Sequence, residues 1–405
     1  MQKDIPGVAA GNPRSPSWPT FSAGLLAAVV GFASSFAVVL QGLTSVGASP
    51  EQAASGLMAL SISMGLGGIV LSLWHKMPVS VAWSTPGAAL LASAAAPAGG
   101  FAAAVGAFIL CAGLIVASGL FRPFGRAVSA IPAPLANAML AGVLLGLCLA
   151  PVEALANVPQ LALPVVLSWL VVSRINRLMA IPVAVVIAAV LIVMTTDGAK
   201  LDSTIFSPEA LFIAPVFSLD AAIGIALPLF VVTMASQNIP GMAVLNANGY
   251  RPAPQRLFWS TGLFSFLSAP FGGHAVNLAA ITAALCANPD ADPDPKRRYW
   301  AVIFAGIFYC LFGLLAGIAT SLATAAPPVL IEAVAGLALL GSLAAATSAA
   351  LKDEEMREAA IITFLVTASG TSFFGVSGAF WGLLAGLGLL GLSRLAPRLS
   401  ALRKT

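Results

Sequence analysis

The residues best suited to bind a charged solute are polar side chains set within long apolar stretches. The first group is Ser84, Thr85, Pro86 and Gly87, where a strand-like run beginning at Pro78 turns into a short apolar helical run. Thr85 is a good helix N-cap, and proline is well tolerated at the first helical position. A helix that begins here directs free backbone N–H groups and a positive dipole end at one place. The pattern predicts an anion site.

A second stretch of the same kind contains His274, Ala275, Val276 and Asn277. Aligning Pro78 with Pro270 places Thr85 on Asn277, which is also a good N-cap, and a short Ala/Leu-rich run follows each. We therefore expect a second helix to begin near Asn277, with the preceding backbone beside the bound anion. His274 can carry a proton near neutral pH, so it is the first candidate for proton coupling.

Three amides and one acid complete the set of candidates. Gln237 and Asn238 lie in the middle of an apolar run, and Gln41 lies late in the first such run. Amides surrounded by lipid need partners, so they bind either the substrate or a neighbouring helix. Glu332 is the alternative to His274 as proton carrier, although it could equally be a solvated residue near a helix end. A third alternative is that a carboxylate substrate carries its own proton.

Composition determines the class of protein. The chain has 405 residues, 59% of them hydrophobic and 8% charged, with a mean hydropathy of +0.97. This balance predicts a polytopic helical membrane protein, and the net charge of +4 reflects membrane topology rather than nucleic-acid binding. The four cysteines lie singly in apolar runs, without metal-ligand spacing. The sequence has no nucleotide-binding loop and no catalytic cluster, so we expect no cofactor, no metal and no enzymatic activity.

The elements that must position these residues are fourteen apolar segments, two of them broken. The broken elements, at 79–95 and 271–287, are each predicted to be a strand followed by a half-helix. The other spans are predicted at 21–44, 53–74, 99–121, 131–150, 159–173, 179–196, 219–246, 255–269, 298–323, 327–350, 357–374 and 376–394.

Charge distribution supports this topology. With a cytoplasmic N-terminus, 18 of the 19 basic residues fall on the inner side and only Lys200 falls outside. Seven elements per half then place the second half in the opposite orientation, so the chain is an inverted repeat with a cytoplasmic C-terminus. The two half-helices meet at mid-membrane in this arrangement. The longest inner loop, 288–298, is predicted to be a solvated connector.

The run Pro78–Gly87 resembles the benzoate/proton symporter family, as do Ser236–Met242 and the segment Gly272–Asn277. The resemblance implies the fold of uracil and sulfate transporters, uptake of benzoate with a proton, and often a homodimer with an elevator-like motion. It also implies a core domain and a gate domain, each built from both halves. The segments are an N-terminal tail at 1–20, core at 21–126 and 215–323, gate at 127–200 and 324–396, and a C-terminal tail at 397–405.

Other functions remain open from the sequence. A nucleobase or inorganic-anion transporter of the same fold would differ only in the chemistry of its binding site, and an anion channel on this scaffold is a further alternative. The preferred hypothesis is a secondary transporter in a bacterial inner membrane that imports benzoate or a close aromatic carboxylate by alternating access. Its partners would be the carboxylate, a proton and the bilayer, and Trp83, Phe36 and Phe271 could line the space for a ring.

Overall fold

The computed structural model describes residues 15–121, 123, 131–195, 209–371 and 378–402, with side chains up to residue 392. Several predicted features lie outside these residues. They are most of the N-terminal tail, the predicted domain ends at 126 and 200, and the side chains of the C-terminal tail. The basic residues outside the described set, or with undescribed side chains, are Lys3, Arg14, Arg122, Arg126, Lys200, Arg394, Arg398, Arg403 and Lys404.

Eight helices and one strand are described in the first half of the chain, over residues 15–121 and 131–195. The predicted first span consists of two helices, because Ser34 and Ser35 interrupt it and Ser35 has non-helical backbone angles. The elements are α1 (Trp18–Ala33), α2 (Phe36–Ser45), α3 (Pro50–His75), β1 (Val81–Trp83), α4 (Thr85–Ala92), α5 (Gly100–Leu120), α6 (Ala133–Asn157), α7 (Pro159–Ile175) and α8 (Ala180–Thr195).

The second half repeats the broken strand-and-helix pattern. The predicted span 298–323 is two helices that meet at an angle of 53°. The elements are α9 (Leu219–Ala247), α10 (Pro254–Ser268), β2 (Val276–Leu278), α11 (Ile281–Ala287), α12 (Tyr299–Leu314), α13 (Ala316–Ala325), α14 (Pro328–Ala350), α15 (Arg357–Ala368) and α16 (Gly378–Leu402).

The chain is mostly helical, and several of its helices suit a membrane. Among the described residues, six spans are long and apolar enough to cross a bilayer, and α12 with α13 makes a seventh if the bent pair is one span. Helices α7 and α8, and the part of α16 from Gly378 to Leu392, are apolar but shorter. Length and composition therefore establish a polytopic protein, but they do not by themselves reproduce the predicted count of fourteen elements.

The two broken elements are joined by a two-stranded antiparallel sheet. Ala82 pairs with Asn277 at its centre, with Val81 opposite Leu278 and Trp83 opposite Val276. β-branched and aromatic side chains favour such a pairing. Ser265 of α10 satisfies the outer edge of β2, since its hydroxyl bonds both the N–H and the carbonyl of Val276. The sheet fixes the starts of α4 and α11 relative to each other.

Helix α9 contains two π-helical turns, at Ala222–Ala226 and Met234–Asn238. Proline follows each turn, at Pro228 and Pro240. A proline has no N–H for the carbonyl four residues earlier, so a locally widened helix accommodates it. The second turn carries both predicted amides, Gln237 and Asn238, and sets the direction of their side chains.

The loop 288–298 is mostly exposed or half-buried, as expected of a solvated connector, but it also contains buried, hydrogen-bonded residues that the prediction did not include. Asp292 is 4% exposed and Arg298 is 5% exposed. The Arg298 guanidinium donates to the carbonyls of Asp292 (2.7 Å) and of Ala287 at the end of α11 (2.9 Å). The Asp292 carboxylate accepts from the Ser17 hydroxyl before α1 at 2.6 Å. The hydrogen bonds of these buried groups tie α11 to the start of α1.

Candidate functional site

Helix α4 begins one residue earlier than predicted. Ser84, not Thr85, is the N-cap: its Oγ accepts from the Gly87 N–H at 3.1 Å. The same Oγ also accepts from the Thr233 hydroxyl of α9 at 2.9 Å. Thr85 is therefore the first helical residue and Pro86 the second, where its missing N–H costs nothing. The sequence pattern located the turn, but it could not decide between two adjacent hydroxyl residues that both make good caps.

Helix α11 begins three residues later than a cap at Asn277 predicts. Asn277 lies within β2, and the helix starts at Ile281 after Ala280. With its amide oriented to suit both neighbours, Asn277 accepts from the Ser84 N–H and donates to the Leu278 carbonyl, both at 2.9 Å. The prediction that Asn277 is an N-cap is therefore wrong, because its pairing with β1 places it in a strand. The fully buried amide links the two strands to the cap of α4.

Asn238 has a similar structural role. Its side-chain oxygen accepts from the Leu278 N–H at 2.9 Å, and the side chain is fully buried. An amide oxygen here replaces a strand partner on the open edge of β2. The neighbouring Gln237, one position earlier in the π-turn, instead reaches a cavity.

That cavity lies where α1, β1 and the starts of α4 and α11 come together. Its volume is about 60 Å³. The lining residues are Val30, Gly31, Ser34, Ser35, Met64, Ala82, Trp83, Thr85, Gln237, Ala279, Ala280, Ile281, Thr282 and Tyr309. Small-molecule sites usually enclose about 300–1,000 Å³, so an aromatic acid needs neighbouring side chains to move before it fits.

Aromatic rings and hydroxyls form the cavity wall around the α1–α2 break. The Trp83 indole donates to the Ser35 hydroxyl at 2.8 Å, and the Tyr309 hydroxyl donates to the Ala27 carbonyl at 3.1 Å. Phe32 stacks on Phe36 with centroids 5.7 Å apart and tilts against Trp83 at 5.5 Å. The rings of Trp83 and Tyr309 are held by these contacts, so they present fixed apolar surfaces.

His274 lies away from the cavity lining. Its ring is fully buried, and Phe108 approaches it edge-on with centroids 6.3 Å apart. The Ala275 N–H donates to Nδ1 at 2.6 Å, so Nδ1 carries no proton and the ring is the neutral Nε2–H tautomer. Within the described chain, Nε2 has no hydrogen-bond partner.

Gln41 and Glu332 form a contact of their own. The Gln41 amide donates to the Glu332 carboxylate at 3.1 Å, and both side chains are half-buried. The bond joins α2 to α14 across 291 residues of sequence. Neither side chain lines the cavity described above.

A larger cavity of about 560 Å³ opens beyond the other end of α4. Segment 92–98 forms one side, the start of α9 with Asp220 forms another, and α6, Thr367 and the start of α16 close it. It lies between helices that belong to different predicted domains.

The structure thus brings together only part of the predicted set. Thr85 and Gln237 line the small cavity, and Ser84 and Asn277 brace the backbone behind it. Phe271 packs instead against Phe212, with centroids 6.2 Å apart. Sequence reasoning missed Gly31, Ser34, Ser35, Met64, Thr282, Tyr309 and the backbone of 279–281. The adjacent serines that interrupt an apolar span were the available signal for the α1–α2 break.

Comparison with known proteins gives consistent matches over most of the chain. The family model described as benzoate membrane transport protein matches residues 15–392. The inner membrane protein YdcO of Escherichia coli is 41% identical over 91% of this chain and 94% of its own. A benzoate membrane transport protein of Acinetobacter baylyi is 35% identical over 90% of this chain and 92% of its own.

Solved structures share the fold at low sequence identity. The transmembrane domain of the cyanobacterial bicarbonate transporter BicA aligns with a TM-score of 0.61 and 16% identity, covering 91% of this chain and 97% of that one. SLC26A9 aligns with a TM-score of 0.64 and 15% identity over 92% of this chain. The chain spans 64% of the length of that SLC26A9 chain. These likenesses establish the fold alone.

Proposed function

The chain belongs to the benzoate membrane transport protein family, and we propose that it is a secondary transporter for benzoate or a close aromatic carboxylate. The observation that carries this proposal is the small cavity, which two broken elements of opposite halves enclose together with the α1–α2 break. Broken helices around a central site are the usual construction of secondary transporters. Alternating access to this cavity would move the substrate.

The cavity offers groups for both parts of an aromatic acid. We propose that the carboxylate binds at the start of α4, next to Thr85, with the Gln237 amide as a donor from the opposite wall. The positive end of the α4 dipole favours an anion there. Trp83 and Tyr309 receive the ring, since apolar walls with few placed polar groups are typical of small-molecule sites. Residues 279–282 close the remaining side.

A proton is the expected coupling ion. Carrying one negative charge into a negative-inside cell costs about 2.3 kcal/mol at about 100 mV. Transport of one proton with each carboxylate makes the step electroneutral and adds the energy of the pH gradient. His274 and Glu332 are the candidate carriers, and the substrate's own carboxyl group is a third.

The finer architecture belongs to the same proposal. It comprises fourteen elements as a seven-plus-seven inverted repeat, with both termini cytoplasmic in an inner membrane. The predicted core and gate domains would move past each other like an elevator, and two copies could form a homodimer. The cavity beside segment 92–98 lies between the two predicted domains, which suits an access route from the periplasmic side.

Uptake into proteoliposomes tests the proposal. We expect labelled benzoate to accumulate when an inward pH gradient is imposed, and unlabelled uracil or sulfate to compete poorly. Failure of benzoate uptake, or strong competition by either rival, would refute the proposed substrate. Currents far above carrier turnover would indicate a channel instead.

A substitution in the cavity tests the binding mode. Gln237→Ala should weaken benzoate binding by about tenfold or more, because a hydrogen bond to a charged group contributes about 1.5–3 kcal/mol. The matched control is Gln160→Ala on the exposed first turn of α7, which should bind benzoate normally. Equal affinity in the two variants would remove Gln237 from the site.

A further inference from the structure

The acid Glu332 stands in a contact between two helices from opposite halves of the chain. It lies in the second turn of α14, which packs most extensively on α6 and also touches α2. Its carboxylate accepts the hydrogen bond from Gln41 of α2 at 3.1 Å. A single half-buried carboxylate therefore connects α14 to α2.

The charged groups around Glu332 are few. Helices α2, α8 and α13, which all pack on α14, contain no charged residue, and α7 has only Arg174 in its last turn. Helix α6 contains one charged residue, Glu153, and this exposed acid interacts electrostatically with Glu332. Within the described residues, Glu332 forms no salt bridge, and a carboxylate among apolar helices that feels a second carboxylate is typical of a site that holds an exchangeable proton.

A shift of α2 at Gln41 is transmitted to the wall of the small cavity through one close contact between α2 and α4. The next residue, Gly42, has no room for a side chain: a Cβ there would lie 2.4 Å from the Ala88 carbonyl oxygen of α4. The backbones of α2 and α4 therefore touch and shift together, because packed interiors transmit displacement. Helix α4 starts at Thr85 in the cavity wall. Any shift of α2 against α14 thus moves that wall.

We infer that Glu332 carries the coupled proton. A change in its charge alters the hydrogen bond with Gln41, which shifts α2 and with it α4. This inference rests on the proposed transport function. A proton taken from one side converts the carboxylate to the acid, and release on the other side restores it, so no further reactant is needed. His274 suits the task less well, because its ring is fully buried and its Nδ1 already accepts a hydrogen bond from the Ala275 N–H.

The experiment compares coupled and uncoupled transport in Glu332→Gln, which keeps the shape of the side chain but cannot exchange a proton. With one proton per substrate, a gradient of about one pH unit supports about tenfold accumulation of benzoate. We expect E332Q to lose this accumulation and to retain exchange of internal for external benzoate, which needs no net proton movement. The matched control is Glu51→Gln at the start of α3, an exposed acid held by Ser49, which should retain both activities.

The outcomes separate this inference from the proposal beneath it. Accumulation by E332Q equal to that of the wild type would overturn the assignment of the proton to Glu332. Loss of exchange together with accumulation, at an unchanged melting temperature, would also overturn it, because it would place Glu332 in substrate handling rather than coupling. If E332Q melts lower, Glu332→Asp decides: restored pH-driven accumulation supports the inference, and its absence refutes it. A wild-type protein that neither exchanges nor accumulates benzoate refutes the proposed function itself.

Discussion

Gly31→Ala should close the small cavity, and its cost follows from the geometry. A Cβ at Gly31 would lie 2.2 Å from the Tyr309 hydroxyl oxygen, and ordinary contact begins near 3.4 Å, so that oxygen must retreat by about 1.2 Å. The retreat sacrifices the 3.1 Å hydrogen bond to the Ala27 carbonyl. Overpacking costs about 1–3 kcal/mol and the hydrogen bond about 0.5–1.5 kcal/mol, which gives roughly 1.5–4.5 kcal/mol together.

The assay is benzoate binding to purified protein, with thermal melting measured in parallel. This cost should appear as a lower melting temperature, and G31A should bind benzoate more weakly because the added methyl group and the displaced Tyr309 hydroxyl occupy the cavity. The matched control is Gly113→Ala within α5, where a Cβ meets nothing within 4 Å. That change should leave binding intact and raise helix stability by about 0.5–1 kcal/mol. Normal binding and melting of G31A would refute the placement of the substrate beside Tyr309.

Two further predictions concern the supports of the site. Asn238→Ala leaves the buried Leu278 N–H without its partner, so we expect a loss of about 1–3 kcal/mol in the free energy of unfolding. Asn248→Ala, which removes only a partly exposed helix-end bond, should melt near the wild type, and equal melting of the two variants would contradict the assigned role. Arg298→Met removes the charged donor at the Ala287 carbonyl and should lower the melting temperature; an unchanged value would show that solvent can replace this cap.

Much of the architecture could be predicted because its causes are local. Long apolar runs bounded by prolines or charges set the spans, and the strand–turn–helix at Val81–Ala92 follows from β-branched residues before a Ser-Thr-Pro-Gly turn. The second broken element was located correctly as a segment. The start of its helix was predicted wrongly, because Asn277 pairs with β1 and so belongs to a strand. That pairing joins residues about 195 positions apart, so no local pattern reveals it.

The candidate site was predictable only in part, for a related reason. Thr85 and Gln237 stand out in sequence as polar groups in apolar surroundings, and both reach the cavity. Tyr309 and Thr282 look like ordinary helix residues, and only the packing of α1 against α11 and α12 brings them to Gly31. The bond between Gln41 and Glu332 likewise depends on the contact of α2 with α14, which no local pattern specifies.

Because α9 contains π-turns, the site depends on the number of residues in this helix as well as on their identity. A π-turn contains one residue more than the α-helical turn it replaces, and each residue of an α-helix turns the chain by about 100°. Deleting one codon within Met234–Asn238 would restore a regular helix while leaving its hydropathy almost unchanged. The shortened helix could still insert into a bilayer, but the face that carries Gln237 would rotate away from the cavity. Deletion scanning would detect this constraint on the number of residues in the π-turn, whereas substitution scanning would not.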